Sequence, residues 1–593
     1  MMNRMKTMIT MATSLLLVTS SCSSSTYSDI QYVQQAELFK EKGNIKAATE
    51  SYRQAIALNP NNFQANFLLG VTLCKQGLVK ESIPSFKQAL KQQPANVRVL
   101  FNLGVALEIT GNIDKAIEHY KKAVAFFHPY TQAHLRLASC LEKEQPTEAL
   151  KHYLIVIKLD PHSFDAHLAA AKLLCEQDEL TKSLELFDKA YALKPATNDV
   201  NLNLANEMLQ LGNKLFGQRR GQEAAHVFRN ILSINDNYSA VHHNLAFTLA
   251  ERLGKHYEAL KHYRRAIEIK PENHEAHFCF ALSCLATGDL SRGWQEYKHR
   301  WLRPRNAPRR FGETFEHLWE GQDLEGKTIA IRCEQGLGDT LHFIRYAQML
   351  KECGAYVIAE VQKPLTKLLA SCQHLDEIVQ MGHPMPPCDY QIPMLNLPAV
   401  FGTSLETIPN KTPYLHPMPK LEKKWKEYLE KDTNFKIGIC WHGDAAHGQV
   451  KFMPLSCFVP LLNIENTSFY SLQKISGLEQ LKDLPANVTL HQFGPDFDKT
   501  YGSFMDTAAV MKSLDLVITA DTSIAHLAGG LGVQTWIILP FPAEWRWLMN
   551  RDDSPWYPTV RLFRQKKINE WQPVVQKIKK ALKETVKGHP FPQ

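Results

Sequence analysis

The sequence has no Cys-x-x-Cys pair, no continuous apolar run of the ~18 residues that a membrane span needs, and no stripe of basic residues interleaved with aromatics. The first absence excludes zinc ribbons and thioredoxin-type redox centres. The twelve cysteines stand mostly alone inside apolar patterns, as at Cys74, Cys140, Cys175, Cys333 and Cys440, where reduced buried thiols are expected. The second absence leaves no transmembrane span, and the third gives no support to nucleic acid as a partner. The net charge of +8 is a mild excess over 593 residues. Hydrophobic residues at 44% and charged residues at 22% are ordinary for a globular chain. At roughly 100–200 residues per domain, the length calls for about three to five units.

At the N-terminus, Arg4 and Lys6 precede a moderately apolar run from Met8 to Val18, then Thr19-Ser20-Ser21-Cys22. Two readings fit residues 1–28. One is a disordered tail on a cytoplasmic protein. The other is a weak export or lipid-anchor signal ending at Cys22, although Thr and Ser dilute the run and Thr19 stands where such signals usually carry Leu.

What the first half does have is a period. Ala48, Ser82 and Ala116 recur every 34 residues, with Tyr52, Phe86 and Tyr120 four positions later and Ala55, Ala89 and Ala123 three after those. Gly43, Gly77 and Gly111 mark the turns. Further copies centre on Tyr153, Phe187, Phe228 and Tyr263, with an insertion near 201–210 and an atypical last copy at Gly288, Gly293 and Tyr297. Small residues let paired helices approach, aromatics four residues on fill the same face, and prolines such as Pro60, Pro94 and Pro161 end the second helices. One such unit cannot bury its apolar face alone, so about eight must stack, over residues 29–302. This pattern resembles the tetratricopeptide family. The resemblance implies an α-solenoid whose groove takes a protein or peptide partner; a structural or oligomerisation role is the alternative.

Past Trp301 the period ends, and a basic, proline-punctuated connector occupies residues 303–314. Short apolar runs then alternate with helical stretches. Strands are expected at 328–333, 356–361, 378–381 and 390–393, with helices at 340–353 and 365–372, forming a first Rossmann-like unit over 315–415. A proline-rich, charged linker covers 416–434. A second unit, 435–585, has strands at 436–441, 468–472, 488–493, 516–520, 535–539 and 560–563, with a closing helix at 568–586. Two such α/β units in tandem describe the GT-B arrangement.

Three segments carry chemistry. Glu334-Gln335-Gly336-Leu337-Gly338-Asp339 leaves a buried strand and opens a helix, and Gly336 and Gly338 there let backbone approach a ligand. Trp441-His442-Gly443-Asp444 begins a polar loop that contains His447 and ends at Lys451. Asp521-Thr522-Ser523, with His526 one turn on, follows an apolar strand; free backbone N–H groups, the helix dipole and hydroxyls at that start favour a phosphate. Gln473 ends another strand, where ligands collect. Against these stand plainer roles: Asp339 and Thr522 as helix caps, and the loop histidines as surface residues.

Together the segments resemble heptosyltransferase-type glycosyltransferases, most of all bacterial proteins that join such a domain to tetratricopeptide repeats. O-GlcNAc transferases share the two-part plan more distantly. The resemblance covers residues ~315 to 585. It implies a metal-independent inverting transferase of the hexosyl or heptosyl type. Asp339 would be the base that deprotonates the acceptor. Lys451, Asp521, Thr522, Ser523, His526 and Gln473 would bind a nucleotide-diphosphate sugar as co-substrate, with no resident cofactor and no metal; no D-x-D motif stands in the expected loops. The acceptor would be a protein or saccharide recruited by the repeats. Rival readings are a catalytically silent repeat scaffold and, on the same fold, a sugar-nucleotide epimerase.

Overall fold

The turn glycines of the repeats adopt left-handed backbone: Gly43, Gly77 and Gly111 have φ of +75°, +78° and +83°, and nothing lies within 4 Å of where a Cβ would stand. Conformation rather than crowding selects glycine there. The computed structural model describes residues 28–303, 317–443 and 452–589. The connector and the N-terminal segment therefore fall largely or wholly outside the described residues. No helix of the described residues is long and apolar enough to cross a membrane. The chain divides into two compact units, one ending at Leu204 and the other beginning at Ala205.

In the first unit, helices from Asp29–Glu41 to Leu180–Leu193 pair as antiparallel hairpins. The repeat aromatics Tyr52, Phe86, Tyr120 and Phe187 are fully buried. Phe86 and Tyr120 each need a flat neighbour, and Gly70 and Gly104 supply it. A Cβ on Gly70 would stand 2.6 Å from the Phe86 ring, and one on Gly104 2.6 Å from Tyr120. The Tyr120 hydroxyl reaches the edge of the core and donates to Glu108 Oε2 at 2.6 Å.

The second unit carries the remaining hairpins. The insertion near 201–210 is absorbed as length: helix Asn198–Gly217 has 20 residues where first helices such as Val97–Ile109 have 13. Sixteen helices in all, ending with Leu290–Tyr297, precede the sheets among the described residues.

Two parallel sheets follow. Strands β1 (Thr328–Arg332), β2 (Tyr356–Val361), β3 (Glu377–Gln380) and β4 (Tyr390–Pro393) lie in the order β3-β2-β1-β4. Ile329 pairs with Val357 on one side and Tyr390 on the other. Strands β5 (Phe435–Cys440), β6 (Thr467–Ser471), β7 (Leu516–Ala520), β8 (Thr535–Leu539) and β9 (Val560–Arg564) lie in the order β6-β5-β7-β8-β9. All residues of β7 and β8 are buried, as both faces of a parallel sheet covered by helices require. In each sheet the order reverses once: between β1 and β4, and between β5 and β7. Ligand crevices form at the carboxyl ends of strands beside such reversals. The exits of β1, β5 and β7 are the three segments singled out in the sequence.

Some expectations need correction. The run 488–493 forms no strand; it touches the edge strand β6 through a single bridge, Tyr470 to His491, because its residues are too exposed to sustain a ladder. The helix expected at 340–353 is split by a tight turn at Ile344–Tyr346 into Leu337–Phe343 and Ala347–Glu352. The 416–434 stretch is not a plain linker. It contains helix Pro419–Leu429, which buries Leu421, Trp425 and Leu429, and the Trp425 indole donates to Asp506 Oδ1 at 2.7 Å.

The last hairpin belongs to the α/β core. Trp294 is 2% exposed and meets Phe343 and Trp545 edge-on, with ring centroids 6.2 and 5.3 Å away. Just beyond it, Arg300 grips Glu334 in a two-pronged pair of 2.8 and 2.9 Å, both side chains nearly inaccessible. Glu334 in turn accepts the Leu395 N–H at 3.0 Å, and Arg300 donates to Asn396 Oδ1 at 2.7 Å.

Candidate functional site

Gly336 is the N-cap of helix Leu337–Phe343, and its N–H donates to Asp339 Oδ2 at 2.8 Å. Gln362, just beyond β2, holds the loop by donating to the Gln335 carbonyl at 3.0 Å and accepting from Thr340 Oγ1 at 2.9 Å. Gly338 is there for a close approach. A Cβ at that position would lie 3.0 Å from His526 Cδ2 and 3.5 Å from Ser523 Cα. The start of helix Ser523–Gly530, at the exit of β7, therefore sits directly against the glycine loop at the exit of β1. Sequence elements almost 200 residues apart meet as two helix starts face to face.

Thr522 is the N-cap of the second helix, its Oγ1 accepting the Ile524 N–H at 3.3 Å. Asp521, Thr522 and Ser523 are all partly exposed, whereas the helix beyond them is buried. His526 points the other way. Its Nδ1 meets the Tyr557 hydroxyl at 2.9 Å and lies 3.3 Å from His342 Nδ1, and its ring stacks on Trp547. Burial, then the nearby Arg345 and Arg546 charges, hold His342 and His526 well below the ordinary histidine range, so both are neutral at pH 7. His342 Nε2 has no hydrogen-bond partner among the described residues.

A cation that the sequence reading missed sits at the junction. Arg546 donates through Nη2 to Asp339 Oδ1 and through Nη1 to Glu544 Oε1. Burial works against its charge, but Glu544 and Asp339, with Tyr297 and Asp521, outweigh it and raise the guanidinium above its ordinary value. Burial pushes the Glu544 carboxyl up to about 7, with Arg546 opposing and the Asp521 and Asp339 charges assisting. The sequence signal for this group was a lone arginine between two tryptophans, Trp545-Arg546-Trp547, a composition that suits a buried cation. Trp547, Trp556 and Tyr557 are fully buried, so the aromatic residues near Arg546 are part of the core.

The remaining candidates divide. Gln473 is committed to backbone: Oε1 accepts from Trp441 N–H (3.0 Å) and His442 N–H (2.9 Å), while Nε2 donates to the His442 and Ser476 carbonyls at 2.9 and 2.7 Å. It shapes the exit of β5 and has no donor left for a nucleotide. Lys451, Asp444 and His447 lie outside the described residues. The flanks of their segment can be placed. A Cβ on Gly443 would lie 2.7 Å from the Phe452 ring and 3.1 Å from Thr522 Cγ2, so both flanks adjoin the Thr522 helix start. Asp496-Phe497-Asp498 has D-x-D spacing, but Asp498 accepts from Thr507 N–H at 3.0 Å and caps helix Met505–Met511. A cavity of about 720 Å³, lined by Phe541, Asn550, Arg564, Lys577 and Lys580 among others, opens elsewhere, past the carboxyl ends of β8 and β9.

The chain thus carries helical tetratricopeptide repeats followed by a parallel-sheet α/β region. Residues 36–77 match the TPR repeat family, and residues 74–133, 139–197 and 239–273 match tetratricopeptide repeat families. Protein FlbA of Caulobacter vibrioides is 25% identical over 381 residues, covering 60% of this chain. The chain spans 63% of the length of that relative. Among solved structures, YrrB, described as a TPR protein with an unusual peptide-binding site, is 25% identical, with 28% of this chain and 88% of YrrB covered and a TM-score of 0.27. A tetratricopeptide repeat protein from Parabacteroides merdae is 15% identical, with 43% of this chain and 98% of that one covered and a TM-score of 0.29.

Proposed function

We propose that the α/β region is an inverting, metal-independent glycosyltransferase built as two Rossmann-like units in a GT-B arrangement, and that the repeats recruit its protein or saccharide acceptor. The observation that carries this reading is the meeting of the β1 exit, with Asp339, and the β7 exit, with Thr522 and Ser523, across Gly338. In this reading the Asp339 carboxylate serves the acceptor and the Thr522 helix start serves the donor, on either side of that contact.

In the proposed step the acceptor oxygen forms a bond to the anomeric carbon as the bond from that carbon to the diphosphate oxygen breaks. Asp339 takes the acceptor proton, and the departing diphosphate takes the electron pair. The Thr522–Ser523 helix start and Lys451 stabilise its growing charge.

The rival, a silent adaptor that only binds proteins, draws on one observation. Both oxygens of Asp339 are already engaged, one by Arg546 and one by the Gly336 N–H. A carboxylate has lone pairs beyond these two bonds, so it remains able to accept a proton in the first reading.

Calorimetry with UDP, GDP and ADP and their sugars decides between them. In the transferase reading, one nucleotide binds saturably and the Thr522→Ala/Ser523→Ala double variant loses at least about tenfold, or about 1.4 kcal/mol. Asp339→Asn then keeps donor binding and loses turnover. No binding of any nucleotide by folded protein would leave the adaptor.

A further inference from the structure

The cavity of about 720 Å³ past the carboxyl ends of β8 and β9 includes none of the residues where the two helix starts meet. β9 lies two strands from β7, about 10 Å along the sheet. Five lysines and arginines line the cavity against two carboxylates, Asp552 and Glu584. We propose that it binds a small polyanion, a phosphate ester or a polycarboxylate, at a site separate from the one proposed for the sugar donor.

Two unused donors carry the argument. Arg564, at the end of β9, donates through Nε to the Arg551 carbonyl at 2.8 Å and through Nη2 to the Trp547 carbonyl. Among the described residues its Nη1 makes no hydrogen bond, and no carboxylate forms an ion pair with it. Burial lowers its guanidinium to about 10, with Asp552 opposing, so the charge persists at pH 7. A cation drawn partly out of water without a counter-ion costs free energy that a bound anion recovers. Arg345 also lacks a carboxylate, but carbonyls and the Tyr414 hydroxyl fill its Nε, Nη1 and Nη2. The second donor comes from the repeats. His256 is 7% exposed, and its Nδ1 meets Ser283 Oγ at 3.2 Å. That hydroxyl has no other acceptor among the described residues, so it donates to Nδ1 and leaves the ring hydrogen on Nε2. Burial holds the ring down to about 4, so it is a neutral donor at pH 7. Nε2 is neither hydrogen-bonded among the described residues nor sealed from solvent.

The rest of the wall suits such a ligand. Lys577, Lys580 and Glu584 stand three and four residues apart on helix Gln572–Lys587, along one stripe of its surface. Both lysines are exposed and draw anions toward the opening. Phe541 and Pro542 add an apolar stretch for the body of the ligand. The repeats press against it: a Cβ on Gly254 would lie 2.8 Å from the Phe541 ring, so the cavity is held by contact on both sides. Leu548 and Asn550 hold φ of +52° and +53°, costly for residues with a Cβ, and the loop they bend carries the two carbonyls that fix Arg564. Small-molecule sites occupy about 300–1,000 Å³. The cavity falls in that range, and a single inorganic ion would leave most of it unfilled.

The test is calorimetry on full-length protein carrying Thr522→Ala and Ser523→Ala, so that the donor helix start does not contribute, with pyrophosphate and citrate as probes. The expected result is saturable binding of at least one probe, weakened at least about tenfold by Lys577→Gln/Lys580→Gln and by Arg564→Gln, each checked for native circular dichroism. The lysine pair is exposed, so that variant keeps its fold even where Arg564→Gln does not. Tighter pyrophosphate marks a phosphate ester as the ligand, and tighter citrate a polycarboxylate; either supports the site. No saturable binding of either probe, or unchanged affinity in the folded variants, would overturn it. Neither result bears on nucleotide binding by the wild-type chain, which tests the transferase reading separately.

Discussion

Replacing Arg546 with methionine removes the guanidinium held between Asp339 and Glu544 while keeping most of the apolar volume. Breaking a buried ion pair from one side costs about 3–5 kcal/mol. Asp339 and Glu544 keep 19% and 35% side-chain exposure, and solvent screening there lowers the expected cost to about 2 kcal/mol at pH 8. The cost should fall at low pH, and the sign follows from Glu544. Its carboxyl is raised in the fold from an unfolded value near 4.3 up to about 7. A raised carboxyl favours the folded state while protonated and becomes a penalty as pH climbs through the folded value. Without Arg546, which opposes that rise, the penalty at pH 8 is larger, whereas at pH 5 a neutral Glu544 has little need of a counter-charge. For a unit of this size about 1 kcal/mol moves the melting temperature by about 1–2 °C. Scanning calorimetry should therefore show the variant about 2–4 °C below wild type at pH 8 and distinctly closer at pH 5. A deficit equal at both pH values, or greater at pH 5, would refute the pairing of Arg546 with an up-shifted Glu544.

Three further substitutions test packing. Gly338→Ala places a Cβ 3.0 Å from His526 Cδ2, and His526 is fixed by Tyr557 and Trp547, so the helix start must move; the expected loss is about 1–2 kcal/mol by denaturant melts. Gly104→Ala places a Cβ 2.6 Å from the Tyr120 ring, and overpacking should outweigh the helix-propensity gain of about 1 kcal/mol, so any net gain in stability would contradict the packing described. Trp425→Phe leaves the buried Asp506 Oδ1 without its indole donor, for an expected loss of about 1–3 kcal/mol by urea titration.

The repeats were legible because their small and aromatic positions recur together on one helix face. Their partner glycines, Gly70, Gly104 and Gly212, were not, since a mid-helix glycine reads in isolation as a cost. Its benefit exists only against a ring on the neighbouring helix. The central strands β7 and β8 could be placed to the residue because a parallel strand buried on both faces is a continuous apolar run. The run at 488–493 looks similar but lies at an edge, where composition alone cannot supply a second partner. Where the two helix starts meet, the positions of Asp339, Thr522 and Ser523 could be read from strand exits and helix starts, which are local signals. Arg546 reaches Asp339 from 207 positions away, and Tyr557 reaches His342 from 215. No local pattern encodes such a pair. Gln473 shows the converse: a polar residue at a strand end reads as a ligand contact until its amide is seen to be filled by backbone.

The end of the repeat period near Trp301 invites a cut there to isolate the α/β region, and the packing says that such a fragment will not behave as a native domain. A chain starting at His317 would lose Trp294 and Tyr297 from the core cluster, exposing the faces of Phe343 and Trp545 that they cover. Each large buried side chain removed forfeits about 1.5–3 kcal/mol. Glu334, 1% exposed beneath the hairpin, would also lose Arg300, its counter-charge, at a cost that the new access to water lowers to about 1–3 kcal/mol. These losses together approach the whole stability of an ordinary domain, about 5–15 kcal/mol. A fragment starting at His274 keeps the last hairpin and both groups. It should elute as a monodisperse species with a cooperative melt, and the shorter one should aggregate or melt without cooperativity. If the His317 fragment melted as sharply and as high as the His274 fragment, Trp294 and Arg300 would be surface ornaments of the α/β region, and the last repeat would be part of the array alone.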